Sequence, residues 1–329
     1  MASGNAQWVE EQHYIKQGER MKMRQLTGWH RWMGVMLIFL GLSGAAWAAG
    51  EEDSEPTPEQ IEATREAAQK GNAEAQYALG SCYMMGKGVT QDKDEAVHWW
   101  TKAAQQGHMQ AQNDLGGYCL YTKRGRDAAQ WFLKAADQGH VTAQYNLGKL
   151  FYSGQGVAKD RGNAVRWWRK AAEQGHADAQ YRLGCCFHEG EGVKADAAEA
   201  VKWYRAAADQ GHADAQFYLG SCYVAGEGVE KDRKMAEKWL RAAADQEHIQ
   251  STFTLGVCLS RWNAKSSEGM SLIRKAAEQG YAPAQFWLGR CYAEGRGVPK
   301  DNKLAIRWWK AAADQGDERA ITELVKRGL

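Results

Sequence analysis

The chain has 329 residues, of which 44% are hydrophobic and 25% are charged, and its formal net charge is +2. This length allows either one long repeat array or two ordinary domains. The charge balance excludes a broadly basic nucleic-acid surface, because phosphate binding needs an excess or a stripe of Lys and Arg. A local basic patch is still compatible with this composition.

The first 48 residues differ from the rest of the chain. Arg24 and Arg31 precede an apolar run over residues 33–42, and the small residues that follow end in Ala-Trp-Ala at residues 46–48. This order of positive charge, apolar core and A-x-A site is typical of a secretory signal peptide. The apolar run is shorter than the ~20 residues that a membrane-spanning helix needs.

From this pattern we expect residues 1–48 to be an extension and a signal peptide that is cleaved after Ala48. Translation would start at Met21 or Met23, because a longer amino-terminal region would be unusual, and the mature protein would be periplasmic or secreted. An uncleaved segment that anchors the chain in the membrane is the alternative. Residues 49–56 are interpreted as a linker that leads into a repeat domain over residues 57–329.

One sequence pattern recurs with a period of about 36 residues, which is typical of a protein built from stacked repeats. A regular copy reads A-x-A-Q-x-x-L-G-x-x-[YF], then G-x-G-V, then A-x-x-W-[WYL]-x-x-A-A. In one copy Ala179, Leu183 and Phe187 share a helix face, because they are spaced by four residues. The glycines of G-x-G-V can adopt positive φ and end this helix. Each copy therefore predicts two helices joined by a turn.

Full copies begin near residues 73, 109, 141, 177, 213, 249 and 282. Two are degenerate, because G-x-G-V is missing from the second copy over residues 120–126 and from the sixth over residues 260–267. Before the first copy, Thr57 and Pro58 predict the start of a lone second helix, with Thr as the N-cap. At the other end, residues 319–329 are interpreted as a polar capping helix, which a terminal repeat needs for solubility.

These combined patterns resemble the Sel-one-like repeat family, a relative of the tetratricopeptide repeats, over roughly residues 56–316. The resemblance implies an all-α fold, namely an α/α superhelical solenoid of about seven helix-turn-helix repeats with terminal capping helices. It also implies a bacterial-type scaffold that binds a protein or peptide through its concave face, which the first helices line. On this reading the chain is not an enzyme and needs no cofactor.

Most of the cysteines and histidines occupy one equivalent position in successive copies. Five of the seven cysteines lie three residues after the pattern's Leu: Cys82, Cys186, Cys222, Cys258 and Cys291. Equivalent positions on stacked helices are ~8–10 Å apart, which is beyond the ~7 Å Cα separation that a disulfide allows, so we expect buried thiols. Histidines at residues 108, 140, 176, 212 and 248 cannot converge on one metal ion. We interpret them as a helix-entry position and predict no metal site.

An enzyme is the competing hypothesis. Some disulfide-rich relatives are claimed to act on cell-wall or β-lactam substrates, and a hydrolase of this kind would need a nucleophile. The chain lacks the paired cysteines of those relatives and the nucleophile motifs G-x-S-x-G and S-x-x-K. A membrane-anchored envelope organiser is a third possibility, and it differs from the exported scaffold only in whether the signal segment is cleaved.

An aromatic column follows the pattern's Gln: Tyr77, Tyr145, Tyr181, Phe217, Phe253 and Phe286. It lies two positions before the core-facing Leu and therefore ~160–200° around the helix from it. By the resemblance, this side lines the concave groove, where the rings could bind a peptide. Alternatively, the rings pack between neighbouring first helices as part of the repeat.

Side chains that vary between copies on this side are better evidence for specificity. The regular third, fourth and fifth copies give a predicted partner-binding set: Tyr145, Lys149, Tyr152, Tyr181, His188 and Phe217. Trp167 and Trp203 of the second helices are predicted to lie in the core instead. The identity of the partner cannot be read from the sequence.

Overall fold

The computed structural model describes residues 55–263 and 267–329. The predicted signal peptide, the start of translation and most of the linker lie outside these residues. Within the described part, none of the helices combines the length and the apolarity that crossing a membrane requires. The chain is all-α and forms the superhelical repeat fold that the pattern predicts.

The described residues form sixteen helices. They are α1 (Pro58–Gln69), α2 (Ala73–Met85), α3 (Lys93–Gln105), α4 (Met109–Tyr121), α5 (Gly125–Asp137), α6 (Val141–Ser153), α7 (Arg161–Glu173), α8 (Ala177–Glu189), α9 (Ala197–Asp209), α10 (Ala213–Ala225), α11 (Arg233–Asp245), α12 (Ile249–Trp262), α13 (Ser267–Glu278), α14 (Ala282–Glu294), α15 (Asn302–Ala313) and α16 (Glu318–Val325). The even-numbered helices are first helices and the odd-numbered ones are second helices.

The helices divide into two compact units. Unit 1 contains α1–α7 and ends at Gln174, and unit 2 begins at Gly175 and contains α8–α16. Within each unit, successive helices pack against each other. A single hairpin cannot bury its apolar face alone, so each one is stabilised by its neighbours in the stack.

Inside each hairpin, a Gly of the first helix packs against a large side chain of the second helix. A Cβ on Gly148 would lie 2.5 Å from the Trp168 ring, and one on Gly184 would lie 2.6 Å from the Tyr204 ring. Trp168 is 2% exposed and Tyr204 is fully buried. The small residue therefore sets how closely the two helix axes approach.

The prediction that Trp167 and Trp203 fill the core is wrong. Both are half-buried, and the next residue along the helix takes the core position in each case. The Nζ atom of Lys170 lies 4.0 Å from the centre of the Trp167 ring. Neighbouring residues of a helix point ~100° apart, so only one residue of the pair can face the glycine.

The regular turns are built as predicted, with one addition. Gly190 and Gly192 have φ of 73° and 72°, and the backbone N–H of Gly190 donates to the Cys186 carbonyl. The addition is Asp196, whose side chain accepts from the N–H groups of Ala198 and Glu199 at the start of α9. Asp residues take the same N-cap role before the other regular second helices: Asp92, Asp160, Asp232 and Asp301.

The two ends of the array differ. Thr57 caps α1 as predicted, and its side chain accepts from the N–H of Gln60. At the other end, α16 packs on α15 as the predicted capping helix, but it is less polar than expected. Ile321, Val325 and Leu329 are 43%, 66% and 55% exposed. Part of the solvent-exposed surface of this terminal segment is therefore apolar.

Candidate partner-binding surface

Five successive first helices, from α4 to α12, begin at a histidine, which confirms the predicted helix-entry position. In unit 1, Nδ1 of His140 accepts from the N–H of Ala143 at 3.2 Å, and its Nε2 lies 2.8 Å from Oε1 of Gln110 on the preceding first helix. In unit 2, Nε2 of His212 lies 3.4 Å from Oδ1 of Asp178. This hydrogen bond holds the pKa of the Asp178 carboxyl below its usual range. The histidine thus caps one helix and contacts the previous one.

The aromatic column packs against these histidines. The Tyr77 ring is 2% exposed and stacks on His108 with ring centres 4.6 Å apart. In unit 2 the Tyr181 and His212 rings are 4.7 Å apart, and Phe217 lies 5.2 Å from the ring of the next capping histidine. Of the two possibilities for this column, the structure shows packing between first helices.

A ladder of glutamines also links successive repeats. In unit 1, Nε2 of Gln174 donates to Oε1 of Gln144 at 2.8 Å, and Nε2 of Gln144 donates to the Ala136 carbonyl at 3.2 Å. In unit 2, Gln210 donates to Gln180 in the same way at 2.7 Å. Helix periodicity alone does not predict this hydrogen bonding. The signal in the sequence is the regular recurrence of the pattern's Gln together with a second Gln near the end of each repeat.

In unit 1, α6 carries three residues of the predicted set. Lys149 is exposed, and its Nζ lies 5.4 Å from the centre of the half-buried Tyr145 ring. The half-buried Tyr152 ring lies 5.3 Å from Trp168, and the guanidinium of Arg161 lies 5.7 Å from its centre. The structure therefore brings Tyr145 and Lys149 together and places Tyr152 against the second helix.

In unit 2, the other three residues surround one ring that the predicted set does not include. Tyr218 is half-buried, and its ring centre lies 5.8 Å from Tyr181, 6.5 Å from His188 and 5.4 Å from Phe217. It also stacks on Tyr204 at 5.3 Å. Tyr181 and Phe217 are only 8% and 5% exposed. The half-exposed ring is therefore one position further along the helix than the predicted aromatic column.

Trp287 repeats this arrangement on α14. It occupies the same column as Tyr218 and is half-buried. Its ring lies 6.3 Å from Phe253, and the guanidinium of Arg290 lies 5.6 Å from its centre. The signal in the sequence was an aromatic residue directly after the buried column, which is present in only two copies.

The reactive groups are buried. All seven cysteines are free thiols buried within their helices, as their positions predict. Burial raises the pKa of Cys185 and of Cys291 to about 11, so neither is a thiolate at neutral pH. Within the described residues, no group of three or more His, Cys, Asp or Glu side chains is arranged so that it could hold a metal ion.

One carboxyl on the first-helix side is unusual. Asp114 of α4 is 8% exposed, and its oxygens accept from Tyr77 Oη at 2.9 Å and from Gln110 Nε2 at 3.0 Å. Asn113 donates to it as well. Burial raises the pKa of Asp114 to about 6, although these hydrogen bonds act in the opposite direction.

The repeat pattern matches that of the Sel1 repeat over residues 73–108, 123–140, 141–176, 177–212, 213–248, 265–281 and 282–317. The chain belongs to the Sel1 repeat family. Sel1 repeats form a non-catalytic scaffold. The matched segments omit the first helices of the second and sixth copies, which are the two degenerate ones.

Two solved Sel1 proteins share the fold. A protective antigen of uropathogenic Escherichia coli strains, which displays an SLR fold, is 32% identical with a TM-score of 0.75; the match covers 92% of this chain and 65% of the antigen. A Sel1 repeat protein from Oxalobacter formigenes is 33% identical with a TM-score of 0.60, over 64% of this chain and 84% of that one. A chitin synthase regulator of Saccharomyces cerevisiae is 36% identical over 61 residues, which is 18% of this chain and 9% of the regulator.

Proposed function

We propose that this Sel1 protein is an exported scaffold that binds a protein or peptide through the concave face lined by its first helices. Sel1 repeats generally mediate protein interactions. We further propose that the first-helix face binds the partner. Binding would occur in the periplasm or outside a bacterial cell.

The observation that supports this function is the contrast between fixed and variable positions on the first helices. The Gln, Leu and Gly of the pattern are buried in copy after copy. Beside them, the column that holds Tyr218 and Trp287 contains half-exposed Arg182 in α8 and half-exposed Ala78 in α2. Selective recognition requires side chains that differ from repeat to repeat on a backbone that stays the same.

The predicted residues would act in two ways. Lys149 and Tyr152 in unit 1, and His188 in unit 2, would touch the partner directly. Tyr181 and Phe217 are buried beside Tyr218, so they would hold that ring in place. Aromatic side chains bury a large area and are frequent among the residues that dominate binding energy.

Capture of the partner from an envelope extract by the purified chain tests the binding face. We expect Lys149→Glu and Tyr152→Ala to weaken capture, and the melting temperature should stay nearly unchanged in Lys149→Glu because Lys149 is exposed. Lys202→Glu is the matched control, because Lys202 is an exposed lysine on a second helix. If Lys202→Glu abolishes capture while the two α6 variants retain it, the partner binds the second-helix side and the proposed face is wrong.

Export has a separate test. Amino-terminal sequencing of the protein from its native host should give a chain that begins at Ala49. A membrane-embedded form that begins before Met33 would support an anchored envelope organiser instead. Hydrolysis assays with cell-wall and β-lactam substrates should show no turnover, since we assign the chain no catalytic residue.

A further inference from the structure

The second repeat joins its helices with a turn unlike the regular ones. Lys123 has a φ of 61°, and Arg124 precedes α5 without making a side-chain cap. Arg126 follows in the first turn of the helix. Positive charge at a helix start opposes the helix dipole, and positive φ is costly for a residue with a Cβ. Helix stability therefore does not account for this Lys-Arg-Gly-Arg sequence.

This turn and the turn of the third repeat border an open depression of about 640 Å³ within unit 1. We call it the basic notch, and it is lined by Lys123, Arg124, Arg126, Asp127, Gly154 and Val157. The two turns meet through their backbones, because a Cβ on Gly156 would collide with the Gly125 carbonyl.

The positive charges of the basic notch are largely unneutralised. Within the described residues, Lys123 and Arg126 form no ion pair, and Arg124 lies 4.0 Å from Asp127 in a half-exposed pair. Exposed Lys159 adds a further positive charge in the neighbouring turn. The net charge over residues 123–127 is thus positive, whereas the Asp cap of a regular turn supplies a negative charge at the same place.

We propose that the basic notch binds an acidic segment of a protein partner, rich in Asp or Glu. The forked guanidinium donors of Arg suit carboxylates, with which they form paired hydrogen bonds. Tyr121, which ends α4 just before the turn, is 55% exposed, and the Arg124 guanidinium lies 6.0 Å from the Tyr118 ring. Tyr and Arg are enriched among the residues that dominate protein interfaces.

A protein partner fits the charge distribution better than a nucleic acid does. The chain as a whole carries a net charge of only +2, whereas a nucleic acid is bound along an extended basic stripe. The basic notch belongs to the turns and not to the first-helix face. Loss of binding at one surface can therefore be distinguished from loss at the other.

The test measures binding of a fluorescently labelled oligoglutamate peptide to the full chain at low salt. We expect the double variant Lys123→Glu, Arg126→Glu to weaken binding about tenfold or more. The matched control is Lys194→Glu, Lys202→Glu in unit 2, which changes the net charge equally at exposed positions, and we expect less than about a threefold effect. The melting temperature of the notch variant should be unchanged or higher, because Glu is favourable in the first turn of a helix.

Three outcomes would overturn the assignment. Equal weakening by both double variants would show that only the total charge matters. Equal binding of an oligoglutamine peptide would show that carboxylates are not recognised. Tighter binding of a single-stranded oligonucleotide through Lys123 and Arg126 would assign the basic notch to nucleic acid instead.

Discussion

The two connections of each repeat are built under different constraints. Between a second helix and the next first helix, the connection has three residues at each step from α1 to α14. It is fixed by a capping residue and, in most copies, by the glutamine ladder. Between the first and second helices of a regular repeat it has seven residues, but only residues 122–124 remain in the second repeat.

The short turn of the second repeat leaves the helix packing intact. A Cβ on Gly116 of α4 would lie 2.7 Å from the Phe132 ring of α5, as in the regular hairpins. The ladder is intact too, because Gln138 donates to Gln112 at 2.7 Å. Stacking is therefore specified by the helices and the connection between repeats, while the turn within a repeat is free to change its length and chemistry.

The largest effect on stability should come from the core of a hairpin. Trp168→Ala removes a ring that is 2% exposed and packs on Gly148, so we expect a loss of ~3–5 kcal/mol in the free energy of unfolding. Trp167→Ala is the matched control and should cost distinctly less, because Trp167 is half-buried. Denaturant unfolding of both variants would measure this, and a greater loss at Trp167 would reverse our assignment of the core residue.

Breaking the glutamine ladder should cost more than changing a turn. Gln144→Ala removes two hydrogen bonds, one from the Gln174 amide and one to the Ala136 carbonyl, so we expect a loss of ~1–3 kcal/mol in the free energy of unfolding, at ~0.5–1.5 kcal/mol for each bond. Gln155→Ala, at an exposed position of the turn in the same repeat, should change stability by less than ~0.5 kcal/mol. Similar values for the two variants would remove the distinction between ladder and turn.

Asp114 should make the stability of unit 1 depend on pH. Its pKa is about 6 in the folded chain and 3.8 ordinarily, so between these values the folded state holds a proton that the unfolded chain has released. Its contribution to stability therefore falls as pH rises from about 4 to about 6 and is constant above that.

At pH 8 the free energy of unfolding of Asp114→Asn should thus exceed that of the parent chain by ~1–3 kcal/mol, because one pKa unit corresponds to ~1.4 kcal/mol. The difference should shrink near pH 4. Asp137→Asn, at an exposed position on α5, should leave the pH profile unchanged. Identical profiles for the parent chain and Asp114→Asn would mean that the buried carboxyl titrates normally.

The smallest effect concerns one connection between repeats. Glu247 has a φ of 61° where other copies have Gly, such as Gly211 with a φ of 87°. Glu247→Gly should stabilise unit 2 by about 0.5–1 kcal/mol, because Gly adopts this conformation without steric cost. Gly211→Ala should act in the opposite direction. Thermal unfolding would measure both, and a loss of stability in Glu247→Gly would show that the Glu side chain has a stabilising contact.

The period, the helical hairpins and the capping histidines could be predicted because they depend on neighbours along the chain. The choice between Trp167 and Trp168 could not, because both positions suit a helix and only the location of Gly148 decides which ring is buried. Burial of Tyr181 depends on His212 in the next repeat, so the spacing within one helix could not reveal it. The partner-binding set remains a prediction, now centred on Tyr218 rather than on the buried column.

The fixed connection also defines how arrays of this kind can grow. A segment that runs from one capping histidine to the residue before the next, such as residues 176–211, carries both halves of the stacking contact. Duplication or deletion of such a segment would create no new type of interface. Gain or loss of a whole repeat is therefore compatible with folding without further substitutions. Foreign sequences, such as a tag or a reporter domain, are best inserted in the seven-residue turns, where length already varies in this chain.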